Sequence, residues 1–152
     1  MLIASDYATL NLMKLIDSRS NCPIAKSLDI FGDRWSLLIV RSMLFAKRKT
    51  FKELSEIDES IATNILADRL ERLEQTGIII RLSDPTDGRR FIYELTEKGI
   101  DLISVLLSII DWGMKYNTNA IYPADMVKHA VRNKNLLIEK ARKLQLPQNQ
   151  AD

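Results

Sequence analysis

The chain has 152 residues, a length that suits a single domain with a hydrophobic core. Its contents of 46% hydrophobic and 28% charged residues are ordinary for a globular protein and argue against a disordered or fibrous chain. The formal net charge of +2 allows an anionic partner without requiring one, and a single cysteine excludes an internal disulfide framework.

Residues 1–20 are predicted to form an amphipathic N-terminal arm. Apolar side chains recur there at three- and four-residue steps and include Leu10 and Met13. The segment lacks the positive start and the cleavage site of a secretory signal. No run in the chain approaches the roughly 18 apolar residues of a membrane span. We therefore expect a cytoplasmic protein with no membrane partner.

Two helices are predicted after the arm. Cys22-Pro23 begins the first, since proline is tolerated in a helix's first turn, and Gly32-Asp33 interrupts it. Asp33 is the expected N-cap of the second helix, over residues 35–46.

A short helix over residues 51–57 follows the basic connector Lys47-Arg48-Lys49. Thr50 and Glu53 have capping-box spacing at its start. The next helix is predicted from about residue 62 to residue 76, with Gly77 as its C-terminal stop.

A β-hairpin is predicted immediately after Gly77. Residues 78–82 and 91–95 read as short strands around a turn rich in Asp, Pro and Gly. Two helices joined by a tight turn and followed by a basic-tipped hairpin are the layout of a winged helix-turn-helix. The expected fold is therefore mainly α with a small β-hairpin, and its DNA-binding core spans residues 21–96.

Residues 97–152 are predicted to be C-terminal helices used for dimerisation. Thr96 caps a long helix that extends to about residue 117, and a last helix covers residues 124–144. The long helix has more apolar surface than one small domain needs, so we expect it to pair with a second copy. The alternative is burial within its own subunit. The predicted interface residues are Leu10, Met13, Ile103, Leu106, Leu107, Ile110, Trp112 and Met114.

The helix predicted from residue 62 is the one suited to the DNA major groove, where only its N-terminal turns penetrate deeply. Its side chains are of kinds that can contact base edges. Asn64 can pair bidentately with adenine, and Ala67 is small enough to contact a thymine methyl group. The alternative is the solvated face of an amphipathic helix. The predicted base-contact residues are Thr63, Asn64, Ala67 and Asp68.

Cations flank this helix in the sequence. Residues 41–95 hold ten basic and ten acidic residues, so placement matters and net charge does not. Arg89 and Arg90 follow Asp87-Gly88 at the hairpin tip, where a neighbouring aspartate could instead pair with one of them. The predicted phosphate or minor-groove contacts are Lys47, Arg48, Lys49, Lys52, Arg69, Arg89 and Arg90.

These features together resemble a known family. The segment CPIAKSLDIFGDRW, the helix pair, and a wing ending in Leu95-Thr96-x-x-Gly99 are similar to the HxlR-type winged helix-turn-helix regulators. The resemblance implies a bacterial or archaeal homodimer that binds a palindromic double-stranded DNA operator. The Asp-Gly-Arg-Arg tip departs from that pattern and looks more like the wing of MarR-type regulators.

Cys22 lies at a predicted helix N-terminus, where the helix dipole favours thiolate over thiol. Relatives that the chain resembles include thiol-based sensors, and the alternative is a structural cysteine.

His129 has no companions at metal-ligand spacing, so no metal or cofactor is expected. The sequence contains no phosphate loop, no carboxylate pair in a clear site context and no nucleophile triad, so we do not expect an enzyme. The competing function is a winged-helix module that binds only protein.

Overall fold

The computed structural model describes residues 20–117, 119 and 124–145. The predicted arm, with Leu10 and Met13, therefore lies outside the described residues. The elements in chain order are α1 (Pro23–Phe31), α2 (Ser36–Phe45), α3 (Phe51–Ser55), α4 (Thr63–Gln75), β1 (Ile79–Ser83), β2 (Phe91–Leu95), α5 (Glu97–Ile100), α6 (Ile103–Tyr116), α7 (Ala124–Arg132) and α8 (Lys134–Gln145). The winged helix-turn-helix fold is confirmed, with α3 and α4 as the helix pair and β1–β2 as the wing.

The predicted capping box at the start of α3 is confirmed. The Glu53 N–H donates to Thr50 Oγ1 at 3.2 Å, and the Thr50 N–H donates to Glu53 Oε2 at 2.8 Å. These two bonds satisfy N–H groups that a helix start leaves without partners. They fix where α3 begins, directly after the basic connector.

The end of α4 is set by Gly77, as predicted. Gly77 has φ +72°, a left-handed conformation that glycine adopts without steric cost. The Ile78 N–H donates to the Leu73 carbonyl at 2.9 Å, and the Gly77 N–H donates to the Glu74 carbonyl at 3.0 Å. This pair of bonds closes the helix and turns the chain into β1.

The wing is an antiparallel hairpin that is also attached to the connector. Ile79 pairs with Leu95 at its base and Ser83 with Phe91 near its tip. The Tyr93 N–H donates to the Lys49 carbonyl at 2.7 Å, beside an isolated bridge between neighbouring residues of the two segments. The basic connector therefore lies along β2.

The helix predicted over residues 97–117 is in fact two helices, α5 and α6. The Leu102 N–H donates to the Gly99 carbonyl at 3.1 Å, a tighter turn than the α-helix makes. This break allows Ile100, Leu102 and Ile103 all to be buried. The last predicted helix is likewise broken, into α7 and α8, where the Asn133 side chain donates to the His129 carbonyl at 2.9 Å.

The core lies where α2, α3, α4, the wing base and α6 meet. Its fully buried members include Ile39, Leu54, Leu66, Leu73 and Leu95. Leu66, Leu70 and Leu73 of α4 are buried in that core. None of the described helices is long and apolar enough to span a membrane.

Candidate nucleic-acid interface

The N-terminal turns of α4 present an exposed face. Thr63, Asn64, Ala67 and Asp68 are all exposed, while the opposite side of the helix lies in the core. Among the described residues, none forms a hydrogen bond with the side chain of Thr63 or Asn64. Asp68 differs, because its Oδ2 accepts from Arg69 Nη1 at 2.6 Å. Three of the four predicted base-contact side chains therefore project into solvent without an ion pair.

The cations of the basic connector and of α3 are of two kinds, those exposed without a partner and those held by contacts within the fold. Lys47 and Lys52 are exposed and pair with no described residue. Arg48 donates to the Glu53 carbonyl at 3.1 Å, and Lys49 Nζ lies 2.8 Å from Glu94 Oε1. Because Glu94 is buried, Lys49 mainly serves to neutralise its carboxylate within the fold. The sequence did not predict this structural role.

Arg69 departs from its predicted role as a flanking phosphate contact. Its side chain is only 25% exposed, with Nε 3.1 Å from Asp33 Oδ1 and Nη1 2.6 Å from Asp68 Oδ2. Two carboxylates therefore hold the guanidinium against the turn between α1 and α2. The periodicity of α4 placed Arg69 beside the exposed face, and only the tertiary fold brings Asp33 next to it.

The wing tip carries its two arginines well out in solvent. The side chains of Arg89 and Arg90 are 95% and 72% exposed, and their Nε atoms lie 3.5 and 3.2 Å from Asp87 carboxylate oxygens. The tip is closed by the Arg90 N–H, which donates to the Asp87 carbonyl at 2.8 Å. Such exposed ion pairs are weak, so a phosphate could compete for both guanidinium groups.

Arg81 is a cation of the wing that the sequence reasoning did not single out. It lies on β1, half exposed, with its guanidinium 4.8 Å from the centre of the Phe91 ring. Its Nε is 3.8 Å from a carboxylate oxygen of Glu74. The strand register that pairs Ser83 with Phe91 was the signal that could have placed Arg81 beside that ring.

Cys22 is the exposed N-cap residue of α1. The backbone N–H groups of Ala25 and Ile24 lower the pKa of its thiol, although neither reaches Sγ with full hydrogen-bond geometry. The Cys22 N–H itself donates to Ser20 Oγ at 3.1 Å. The thiol is therefore accessible, and its pKa lies below its usual value.

The predicted dimer surface is only partly exposed. Ile103, Leu106 and Leu107 are buried in the core of their own subunit, which departs from the prediction. Ile110 and Met114 are half-buried, and Trp112 is 65% exposed. Helical periodicity identified the apolar band of α6 but could not separate an interface from burial in the same subunit, and the core meets α6 on the side of Ile103.

The exposed apolar face of α6 contains two residues that the sequence reasoning missed. Ile109, Trp112 and Tyr116 form what we call the α6 stripe, with exposures between 49% and 65%. The rings of Trp112 and Tyr116 are 5.2 Å apart between centres. Beside them lies an open groove of about 500 Å³, lined by Ser104, Val105, Ser108, Ile109 and Trp112.

Within the described ranges, no three His, Cys, Asp or Glu side chains are grouped as metal ligands would be.

Known proteins that are similar in sequence to this chain are named as HTH-type transcriptional regulators. An uncharacterized HTH-type transcriptional regulator of Mycobacterium bovis is 31% identical over 106 residues, and the match spans 70% of this chain but only 66% of that protein. The HTH-type transcriptional regulator YodB of Bacillus subtilis is 36% identical over 96 residues, which cover 62% of this chain and 85% of YodB.

Solved structures agree with these relatives. PA1607, a proposed transcription factor, superposes with a TM-score of 0.62 at 35% identity over 69% of this chain and 72% of its own. The reduced form of YodB gives a TM-score of 0.54 at 34% identity over 66% of this chain and 99% of its own. YodB has also been solved bound to quinone and after treatment with diamide.

The family assignment follows from the region that contains this site. Residues 30–120 match the HxlR-like helix-turn-helix family, which is more than half of the chain and includes α2, α3, α4 and the wing. The chain therefore belongs to the HxlR-like helix-turn-helix family of transcriptional regulators.

Proposed function

We propose that the protein is a sequence-specific regulator that binds a palindromic DNA operator as a homodimer in the cytoplasm. The observation that carries this proposal is the exposed face at the N-terminal end of α4. There Asn64 is poised for bidentate pairing with adenine, and Thr63 and Ala67 offer a hydroxyl and methyl groups to base edges. Asp68 would accept from a cytosine amino group after releasing Arg69.

Phosphate contacts in this proposal come from both sides of α4. Lys47 and Lys52 lie on the connector and on α3, and Arg89 and Arg90 lie at the wing tip, all of them exposed. Such contacts supply affinity and orientation without sequence information, whereas arginine is favoured in a narrow minor groove. Arg48, Lys49 and Arg69 contribute less, because their charges or donors are already held within the fold.

A second copy of the chain is the proposed occupant of the α6 stripe. One α4 reads few base pairs, so two-fold pairing is the economical route to specificity, with half-sites about one helical turn apart. The stripe exposes Ile109 and two aromatic side chains side by side, and α1 exposes Ile24 and Leu28 as well. The predicted arm at residues 1–20 would add to the same interface.

Cys22 is the proposed point of action of an oxidant or electrophile. Its exposure and lowered thiol pKa support that role, and the B. subtilis relative has been solved in quinone-bound and diamide-treated forms. The competing role is purely structural. Release of DNA by diamide that persists in Cys22→Ser would exclude this thiol as the sensor.

The test of the proposed function is a mobility-shift titration with DNA from upstream of the chain's own gene, at several salt concentrations. We expect saturable binding that is much tighter than binding to a scrambled duplex of the same composition. Equal affinity for both duplexes would favour a winged-helix module that binds only protein.

A further inference from the structure

Helix α4 has three sides with different surroundings. One side packs in the core, and a second is the exposed face proposed to read DNA. The third side faces α1 and the turn between α1 and α2, here called the α1–α2 turn (residues 32–35). Its polar residues, Arg69 and Arg72, lie three positions apart and so share one side of the helix.

Both arginines of this third side contact chain segments before α2. The Nε atom of Arg69 is buried and lies 3.1 Å from Asp33 Oδ1, an ion pair that lacks the geometry of a hydrogen bond. Arg72 donates from Nη2 to the backbone carbonyl of Asp29, near the C-terminal end of α1. Asp33 is itself fixed, because Oδ1 accepts from the Trp35 N–H at 2.8 Å. The two contacts join α4 to both α1 and the α1–α2 turn.

The described residues bury little of the rest of α1. None of its nine residues is buried, and its contribution to the core comes from the half-buried side chains of Ile30 and Phe31. With so little apolar burial, polar contacts carry a larger share of the attachment of α1 to α4. Among the described residues, the Arg69 and Arg72 contacts are therefore the polar contacts that join α4 to α1 and the α1–α2 turn.

The ion pair at Asp33 persists at neutral pH. Burial favours the neutral carboxyl, but hydrogen bonds from Ser36 and from the Trp35 and Ser36 N–H groups, together with the charge of Arg69, outweigh it. The pKa of Asp33 therefore lies below its usual value. A carboxylate that caps α2 and neutralises Arg69 couples the start of α2 to the side of α4.

We propose that Arg69 and Arg72 are positioning residues through which α1 sets the angle at which α4 meets DNA. The inference rests on the proposed function of α4. Without these contacts α4 keeps its core packing and its cationic neighbours, so attraction to phosphates survives. The base-reading side chains lose their alignment, so preference for the operator falls. A change at α1, by contact with a second copy or at Cys22, would reach the reading face by this route.

Two variants of the full-length protein test the proposal. Asp33→Asn removes the charge facing Arg69 but keeps an oxygen that can cap α2, and Arg72→Met keeps the apolar stem but removes the donor to Asp29. The matched control is Glu97→Gln, which loses the 2.7 Å ion pair with Arg142 away from this third side. Each protein is first checked for cooperative thermal unfolding, and then titrated with operator and scrambled duplexes.

We expect both variants to bind the operator about tenfold more weakly, with scrambled duplex bound within about twofold of wild type and the control unchanged. Tighter DNA binding by Asp33→Asn would overturn the proposal, because it would mean that Arg69 is a phosphate contact that Asp33 restrains. Unchanged operator preference in two folded variants would also overturn it. A wild-type protein that does not prefer the operator would instead overturn the proposed function, and the inference with it.

Discussion

The Nζ atom of Lys49 lies 2.8 Å from Oε1 of Glu94, and this contact joins the basic connector to the second strand of the wing. The Lys49 carbonyl also accepts from the Tyr93 N–H at 2.7 Å. A side-chain contact and a backbone hydrogen bond therefore join the connector to the wing next to α3. A lysine that the sequence assigned to DNA phosphates supports the wing instead.

Lys49→Ala should destabilise the fold by about 1–2 kcal/mol, because it leaves the buried Glu94 carboxylate without its partner. The measurement is the free energy of unfolding in urea. Lys52→Ala is the matched control, since Lys52 is exposed, and it should change stability by less than about 0.5 kcal/mol. The control should instead lower DNA affinity and reduce the salt dependence by about one phosphate contact. Equal destabilisation by the two variants would contradict this division of roles.

Gly99→Ala should destabilise the fold by about 1–3 kcal/mol, because a Cβ there would lie 2.2 Å from the Ile78 carbonyl oxygen and 2.8 Å from Leu95 Cδ2. Gly113→Ala is the comparison. Among the described residues, its Cβ would meet only the Asn117 side chain, at 3.8 Å, so alanine should stabilise α6 by about 0.5–1 kcal/mol. Urea unfolding at one protein concentration measures both. The prediction fails if the two substitutions shift stability in the same direction.

Local chemistry explains which parts of this fold the sequence revealed. The Thr50–Glu53 box, the Gly77 stop and the hairpin depend on neighbouring residues, and each appears within about a residue of its predicted place. The break between α5 and α6 was missed because the apolar pattern continues through it. Gly99, whose carbonyl accepts from the Leu102 N–H at that break, also packs closely against the Ile78 backbone, a contact that no local pattern records.

In the candidate site, too, the sequence predicted the features that depend on local pattern and missed those that depend on distant residues. The exposed face around Asn64 followed from helical periodicity alone. The structural roles of Lys49 and Arg69 did not, because their partners Glu94 and Asp33 are 45 and 36 residues away in the chain. A cation that binds phosphate and one that closes an ion pair look identical in sequence.

Asn64→Ala should weaken operator binding by about 1–3 kcal/mol, the usual cost of losing a bidentate base contact, and should leave binding to scrambled duplex unchanged. Competition titrations at fixed salt provide the measurement. Gln75→Ala is the control, because Gln75 is exposed at the opposite end of the same helix. An unchanged operator preference in Asn64→Ala would show that this side chain faces solvent in the complex.

Trp112→Glu should convert the proposed dimer to a monomer. The side chain is 65% exposed in one subunit, so a charge is tolerated there, but it would be buried without a partner in an interface. Sedimentation velocity measures the change, and operator affinity should fall with it. Leu136→Glu on α8 is the control, since Leu136 is also exposed but lies off the α6 stripe. A Trp112→Glu protein that remains dimeric would place the interface elsewhere.

The thiol of Cys22 should be alkylated by iodoacetamide with a half-maximal rate at a lower pH in the folded protein than in the urea-unfolded chain. The reason is that the N–H groups of Ala25 and Ile24 stabilise the thiolate at the start of α1 and lower its pKa, and these groups lose their alignment on unfolding. The readout is the alkylation rate across a pH series, by mass spectrometry, with Cys22→Ser as the blank. Because thiolate is the reactive form, more of the folded thiol reacts near neutral pH. A half-maximum at the same or a higher pH in the folded state would refute this account and remove the chemical basis for sensing at this position.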